Sequence, residues 1–143
     1  MPIRLSIRWI AILSTVALVG CSKGYEVVPV EGVVKLDGKP MVNVDVFFSP
    51  EVAQLKDKSP PMSRAKTDAE GRFKLRCDDG EMGAVLGKHL VTLQRDRPRP
   101  EPGKPKPPPL PPVPYKYQII VDTPLKFEVK KDQRTYDIVI KSS

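Results

Sequence analysis

Apolar and polar residues alternate with a period of two over most of this chain, and seven runs show the pattern. They cover residues 28–36, 42–49, 63–67, 72–77, 88–95, 125–130 and 135–140, and 117–121 offers an eighth. In "VPVEGVVKL" the alternation puts Val28, Val30, Val34 and Leu36 on one face. In "VNVDVFFS" Val42, Val44, Val46 and Phe48 oppose Asn43, Asp45 and Ser49. The turn signal "DGKP", with Gly38 free to adopt positive φ beside Asp37, separates these runs and predicts a hairpin between them. In "TDAEGRF", Asp68 is suited to accept backbone N–H bonds across a turn, Gly71 to close it, and Phe73 to enter the core. No stretch after residue 27 carries a helical period. The pattern predicts an all-β fold, a seven-stranded antiparallel β-sandwich over residues 28–141.

Two segments break the alternation. Residues 98–114, "PRPEPGKPKPPPLPPVP", hold ten prolines in seventeen positions and favour an extended polyproline II path. "PPLP" (108–111) fits the PxxP spacing gripped by aromatic grooves, which makes this segment either a recognition arm or a stiff loop between strands. The other break is the beginning of the chain. Arg4 and Arg8 precede the apolar run Trp9–Gly20, whose twelve residues would span only ~18 Å as a helix against a ~30 Å hydrocarbon core. A basic start, a short apolar middle and a small-residue end predict a signal helix over residues 1–20; an N-terminal membrane helix or a buried helix is the alternative.

"LVGC", residues 18–21, resembles the lipobox of bacterial lipoproteins. The resemblance implies cleavage after Gly20 and a diacylglycerol thioether on Cys21, with residues 21–27 as a tether. Cys77 is then left as a small buried hydrophobe beside Phe73 and Leu75; a Cys21–Cys77 disulfide is the alternative. Ser22 after the cysteine, where an inner-membrane lipoprotein would carry Asp, resembles an outer-membrane address facing the periplasm.

Removing the signal lowers the net charge from +7 to +5, because Arg4 and Arg8 leave with it. The remaining basic residues are spread along solvated strand faces such as Arg72, Lys74 and Arg76, without interleaved aromatics, so no nucleic-acid partner is expected. The expected partners are the membrane, through Cys21, and an envelope protein or polysaccharide.

Together the strand "VEGVV", the "DGKP" turn and the "TDAEGRF" hairpin resemble transthyretin-like and carboxypeptidase regulatory-like β-sandwiches. The carrying residues are Val30, Gly32 and Val34, then Asp37, Gly38 and Pro40, then Thr67, Asp68, Gly71 and Phe73. The fourth motif departs, with Leu86 where proline is usual and His89 where an aromatic is usual. The ending "VPYKY…TPLKFEVK…YDIVI" is similar to that of lipid-anchored members common in planctomycete bacteria. The resemblance implies a non-catalytic module without cofactor. The enzymatic relatives of transthyretin, the hydroxyisourate hydrolases, carry paired histidines and a C-terminal Y-R-G-S; here His89 is the only histidine and the chain ends "KSS".

A hydrolase using His89 with acidic neighbours is the alternative from another class, against a buried histidine with one hydrogen bond. "DDGE", Asp78–Glu81, offers three carboxylates beside a glycine but lacks the spacing of a calcium loop, and reads as a solvated turn with no metal.

Overall fold

A computed structural model describes residues 23–51, 59–96, 101–106 and 108–142. Gly20, Cys21 and the run expected to be a signal lie outside these residues, as does part of the proline-rich segment. The described chain is all-β, with one 3-10 turn (Tyr115–Tyr117) in the region that offered an eighth strand. Its strands are β1 (Val27–Val28), β2 (Glu31–Leu36), β3 (Lys39–Pro40), β4 (Asp45–Pro50), β5 (Ser63–Lys66) and β6 (Arg72–Lys74). They continue as β7 (Arg76–Cys77), β8 (Ala84–Val85), β9 (Gly87–Gln94), β10 (Lys126–Val129) and β11 (Ile138–Ile140). One sheet has the order β10-β9-β4-β5-β7. A second is centred on β2, flanked by β11, β3 and β6, and β1 pairs with β8 in a separate ribbon.

Among the described residues eleven segments replace the expected seven, in part because two runs are interrupted. Pro29 has no N–H to give to a ladder, and it separates β1, paired with β8, from β2 in the second sheet. The run 72–77 changes sheets at Leu75: β6 pairs with β2, and β7 pairs with β5. Leu75 itself is buried, its N–H donated to the Val30 carbonyl and its carbonyl accepting from the Gly83 N–H.

The predicted hairpin between 28–36 and 42–49 does not form as expected. Asp37 (φ 49°) and Gly38 (φ 82°) do make the tight turn, but the returning strand is only β3. Asn43, at φ 57°, then redirects the chain into the other sheet, where β4 pairs with β5 and β9. Thr67 braces this corner from inside. Its hydroxyl donates to the Met41 carbonyl at 2.7 Å and accepts the Val44 N–H at 2.9 Å. The apolar faces of β2 and β4 thus meet across the core instead of lying side by side.

The end of the chain repeats the device. β10 pairs with β9, but β11 crosses to the second sheet and runs parallel to β2, Ile138 opposite Val34, which departs from the expected all-antiparallel arrangement. Buried side chains from both sheets form one apolar cluster, with Val34, Val44, Val46, Phe48, Val91, Leu93, Ile138 and Ile140 fully enclosed.

The "TDAEG" turn forms as predicted. The Asp68 carboxylate accepts the N–H groups of Glu70 (3.0 Å) and Arg72 (2.8 Å), and Gly71 sits at φ 75°. Phe73 lies in the core.

Register also separates the molecule into two ends. Val27↔Val85, Ser63↔Cys77, Pro50↔His89 and Val129↔Gly87 mark one, where the N-terminal segment enters. Leu36↔Lys39 and Asp45↔Gln94 mark the other. At ~3.3 Å per extended residue, β9 and the residue after it span roughly 25 Å between them.

Candidate functional site

The far end carries a groove of about 510 Å³. The β2–β3 turn and the following corner (Leu36, Asp37, Lys39, Pro40, Met41, Val42) form one side, and Leu110, Pro111, Pro112 and Pro114 form the other. Arg95, just past β9, joins the two sides. Its guanidinium donates to the Val42 carbonyl at 2.7 Å and to the Pro111 carbonyl. Its Nε is buried without a partner, and burial lowers its pKa. At the rim, hydrogen bonds from the side chain and backbone of Ser142 hold the Asp37 carboxyl below its ordinary value.

Proline makes this wall possible. Pro111, Pro112 and Pro114 need no partner for an N–H, so the segment crosses the end of the sheets outside any ladder, and its carbonyls stay free to accept. Val113 and Tyr117 pin it down as members of the core cluster. The Gln118 side-chain amide donates to the Val113 carbonyl at 2.6 Å, and the Lys141 N–H reaches the Tyr117 hydroxyl. The second half of the 98–114 segment is therefore built into the body. Residues 101–106 and 108–110 are exposed. Deleting 98–114 whole would remove Val113 from the core, so such a deletion does not leave the fold untouched, as a free arm would require.

His89 lies elsewhere, near the N-terminal end and inside the core, 1 % exposed. Its Nδ1 is 2.9 Å from the Gly87 carbonyl, an atom that only accepts, so the proton sits on Nδ1 and Nε2 is a bare lone pair. That Nε2 is buried and unpartnered, and the ring packs against Phe48 at 5.8 Å between centroids. Burial pushes the imidazole pKa below its ordinary value; the Gly87 carbonyl and the charge of Glu51 only partly oppose this.

This burial sets the sign of a pH dependence. Well above about pH 6.5 the histidine is neutral in both folded and unfolded chains, and its contribution is complete. Below that value the unfolded chain takes up a proton before the folded one, so stability falls as pH drops towards the folded pKa. The urea midpoint is expected to be lower at about pH 5 than at about pH 7.5, with the difference reduced in His89→Phe. An equal pH dependence in the variant would assign the effect to other groups.

The carboxylates of "DDGE" are occupied within the protein. Asp79 accepts the Glu81 N–H (3.0 Å), the Tyr25 hydroxyl (3.0 Å) and the Lys23 ammonium (3.4 Å). The Glu81 N–H, ahead of the Tyr25 and Lys23 contacts, holds the Asp79 carboxyl below its ordinary value. Lys23 also pairs with Glu81, and Arg64 with Asp78 at 3.5 Å. Among the described residues no group of three or more His, Cys, Asp or Glu side chains is placed to hold a metal ion.

Cys77 is buried, with its Sγ 3.0 Å from the Ser63 hydroxyl and 3.5 Å from the Gly83 carbonyl. Burial pushes its thiol pKa up, away from the reactive thiolate.

The sequence turns at Asp37, Gly38, Asp68 and Gly71 lie at or beside the end that holds the groove, whereas His89 and "DDGE" lie at or towards the other. Arg95, Val113, Tyr117 and Thr67 escaped sequence reasoning as organisers of that end. Val113 and Tyr117 were the available signal, but Leu110 and Tyr115 stand beside them in the same stretch and are exposed, so the signal did not single them out. Comparison with protein-family models, with curated proteins and with solved structures finds no match to this chain.

Proposed function

We propose that this protein is a lipid-anchored, non-enzymatic module of the cell envelope, built on a β-sandwich of the transthyretin-like or carboxypeptidase regulatory-like kind. The two sheets facing one apolar cluster support the sandwich reading, with its principal runs interrupted at Pro29 and Leu75. The observation that carries the function is "LVGC" directly after a basic and then an apolar run, with Cys21 only two residues ahead of Lys23. Two or more acyl chains at Cys21 make such anchoring effectively stable, where a single chain is marginal. The anchor segment joins the body at one end, and the groove with the proline-rich wall is displayed at the other, roughly 25 Å away along β9. The module acts in binding or spacing at the membrane face, by the Ser22 address on the periplasmic side of the outer membrane, with an envelope protein or polysaccharide as partner.

The enclosure of His89, its free nitrogen surrounded by the core and away from the groove, supports a binding role over a hydrolytic one. Replacing Cys21 with Ser is expected to move the protein from the detergent phase to the soluble envelope fraction. Continued partitioning of Cys21→Ser with detergent would overturn the anchor.

A further inference from the structure

We propose that the anchored domain lies directly on the bilayer, with the loop at residues 78–83 facing the lipid and the groove end pointing away. This rests on the lipid anchor at Cys21 and adds to it an orientation and a contact surface.

The leash between lipid and body is short. Lys23 is clamped to Asp79 and Glu81, and Tyr25 to Asp79, so the first held residue comes two positions after the anchored cysteine. Two residues reach at most ~7 Å. Even with the clamp open, the next fixed point is Glu26, whose carbonyl accepts the Leu86 N–H at 2.9 Å and whose carboxylate pairs with Lys131 at 2.7 Å. Five residues reach only ~17 Å, less than the length of β9, so the body cannot invert over its anchor without tearing β1 from β8.

The loop is also suited to a lipid surface. Its three carboxylates would be repelled by anionic headgroups if they stood alone, but Arg64 and Lys23 offset two of the three charges. Between them and Gly83 stands Met82, 56 % exposed, an apolar side chain next in the chain to Glu81, which pairs with Lys23. The clamp is made of exposed ion pairs, so it is screened by salt. Its loss lengthens the leash from two residues to five without unfolding the domain.

The test uses the full-length lipidated protein in phosphatidylcholine–phosphatidylglycerol vesicles carrying a nitroxide on a fraction of the headgroups. A fluorophore is placed in turn at Met82→Cys and, at the far end, at Lys39→Cys; buried Cys77 and thioether-linked Cys21 remain unlabelled. Quenching at position 82 is expected to exceed that at position 39 several-fold, and Lys23→Ala is expected to narrow the ratio. Equal quenching at both positions in vesicle-bound protein would overturn the orientation while leaving the anchor intact. An unchanged ratio in Lys23→Ala would overturn the clamp. Protein that fails to bind the vesicles would overturn the anchor and this orientation together.

Discussion

Replacing Gly32 with alanine is expected to lower the melting temperature of the domain by roughly 10–20 °C, the equivalent of about 3 kcal/mol or more. Gly32 sits in β2, opposite Phe73 of β6, with the backbone of Tyr136 pressed close against it. A Cβ added there would stand 2.0 Å from the Tyr136 carbonyl oxygen, 2.7 Å from the Tyr136 carbonyl carbon and 3.0 Å from the Phe73 ring. The first two are backbone atoms, so no side-chain rotation relieves the clash. Tyr136 is itself held, its N–H donated to the Glu31 carbonyl at 2.8 Å and its hydroxyl accepting the Lys130 N–H at 2.9 Å.

The chain must therefore part β2 from the crossing that leads to β11, and with it the parallel pairing that closes the second sheet. Gly24→Ala is the control, since a Cβ there meets nothing within 4 Å. Thermal melts followed by far-ultraviolet circular dichroism read both variants. A Gly32→Ala melt superimposed on the wild type would show that the close approach of Tyr136 does not constrain the fold.

Phe48→Ala should cost about 3–5 kcal/mol, the usual range for a buried aromatic cut back to a methyl group. Phe48 is fully enclosed, and its ring lies 6.3 Å from Phe73, 5.8 Å from His89 and 6.0 Å from Phe127. Those partners come from β6, β9 and β10, so one side chain links the two sheets and two neighbouring strands of the first. The cavity left by truncation adds to the lost burial because three surrounding rings anchored on different strands cannot all collapse into it. Urea unfolding measures the loss directly. Phe48→Leu, which keeps much of the volume, should lose clearly less. Similar losses in both variants would mean that the aromatic contacts, not the filled space, hold the site together.

The same substitution reports on His89. Opening space beside the imidazole admits water, brings its pKa back towards the ordinary value and weakens the acid sensitivity that burial imposes. The pH dependence of Phe48→Ala should therefore be shallower than that of the wild type.

Much of the local structure is legible along the chain. The inward residues of each run, the Asp37–Gly38 turn, the Asp68–Gly71 turn and the burial of Phe73 and Cys77 depend on neighbours within a few positions: on alternation, on the φ a glycine permits, on a carboxylate two to four residues from the N–H groups it accepts. Pairing was less legible. Val34 and Val44 both had to be inward, but an inward face is equally satisfied beside another strand or across the core from it. The choice between hairpin and arch was made at Asn43 and by the Thr67 hydroxyl, which comes from a distant part of the chain.

The groove shows the same division. Ten prolines announced an extended segment without ladder bonds, yet nothing local to 98–114 says that Arg95 would take the Pro111 carbonyl or that Val113 would enter the core. "DDGE" read correctly as a turn, while its pairing with Lys23, more than fifty positions earlier, came only with the fold.

Residue order alone makes the described body all-β, assigns the apolar side of each strand and places the tight turns. Folding in three dimensions chose which strands are neighbours, made β2 and β11 parallel, and put the N-terminal segment and the groove at opposite ends. The difference is one of range. Alternation, backbone dihedrals and capping bonds are properties of a few consecutive residues, whereas sheet membership and the meeting of Arg95, Val42 and Pro111 depend on groups that become neighbours only when the whole core closes.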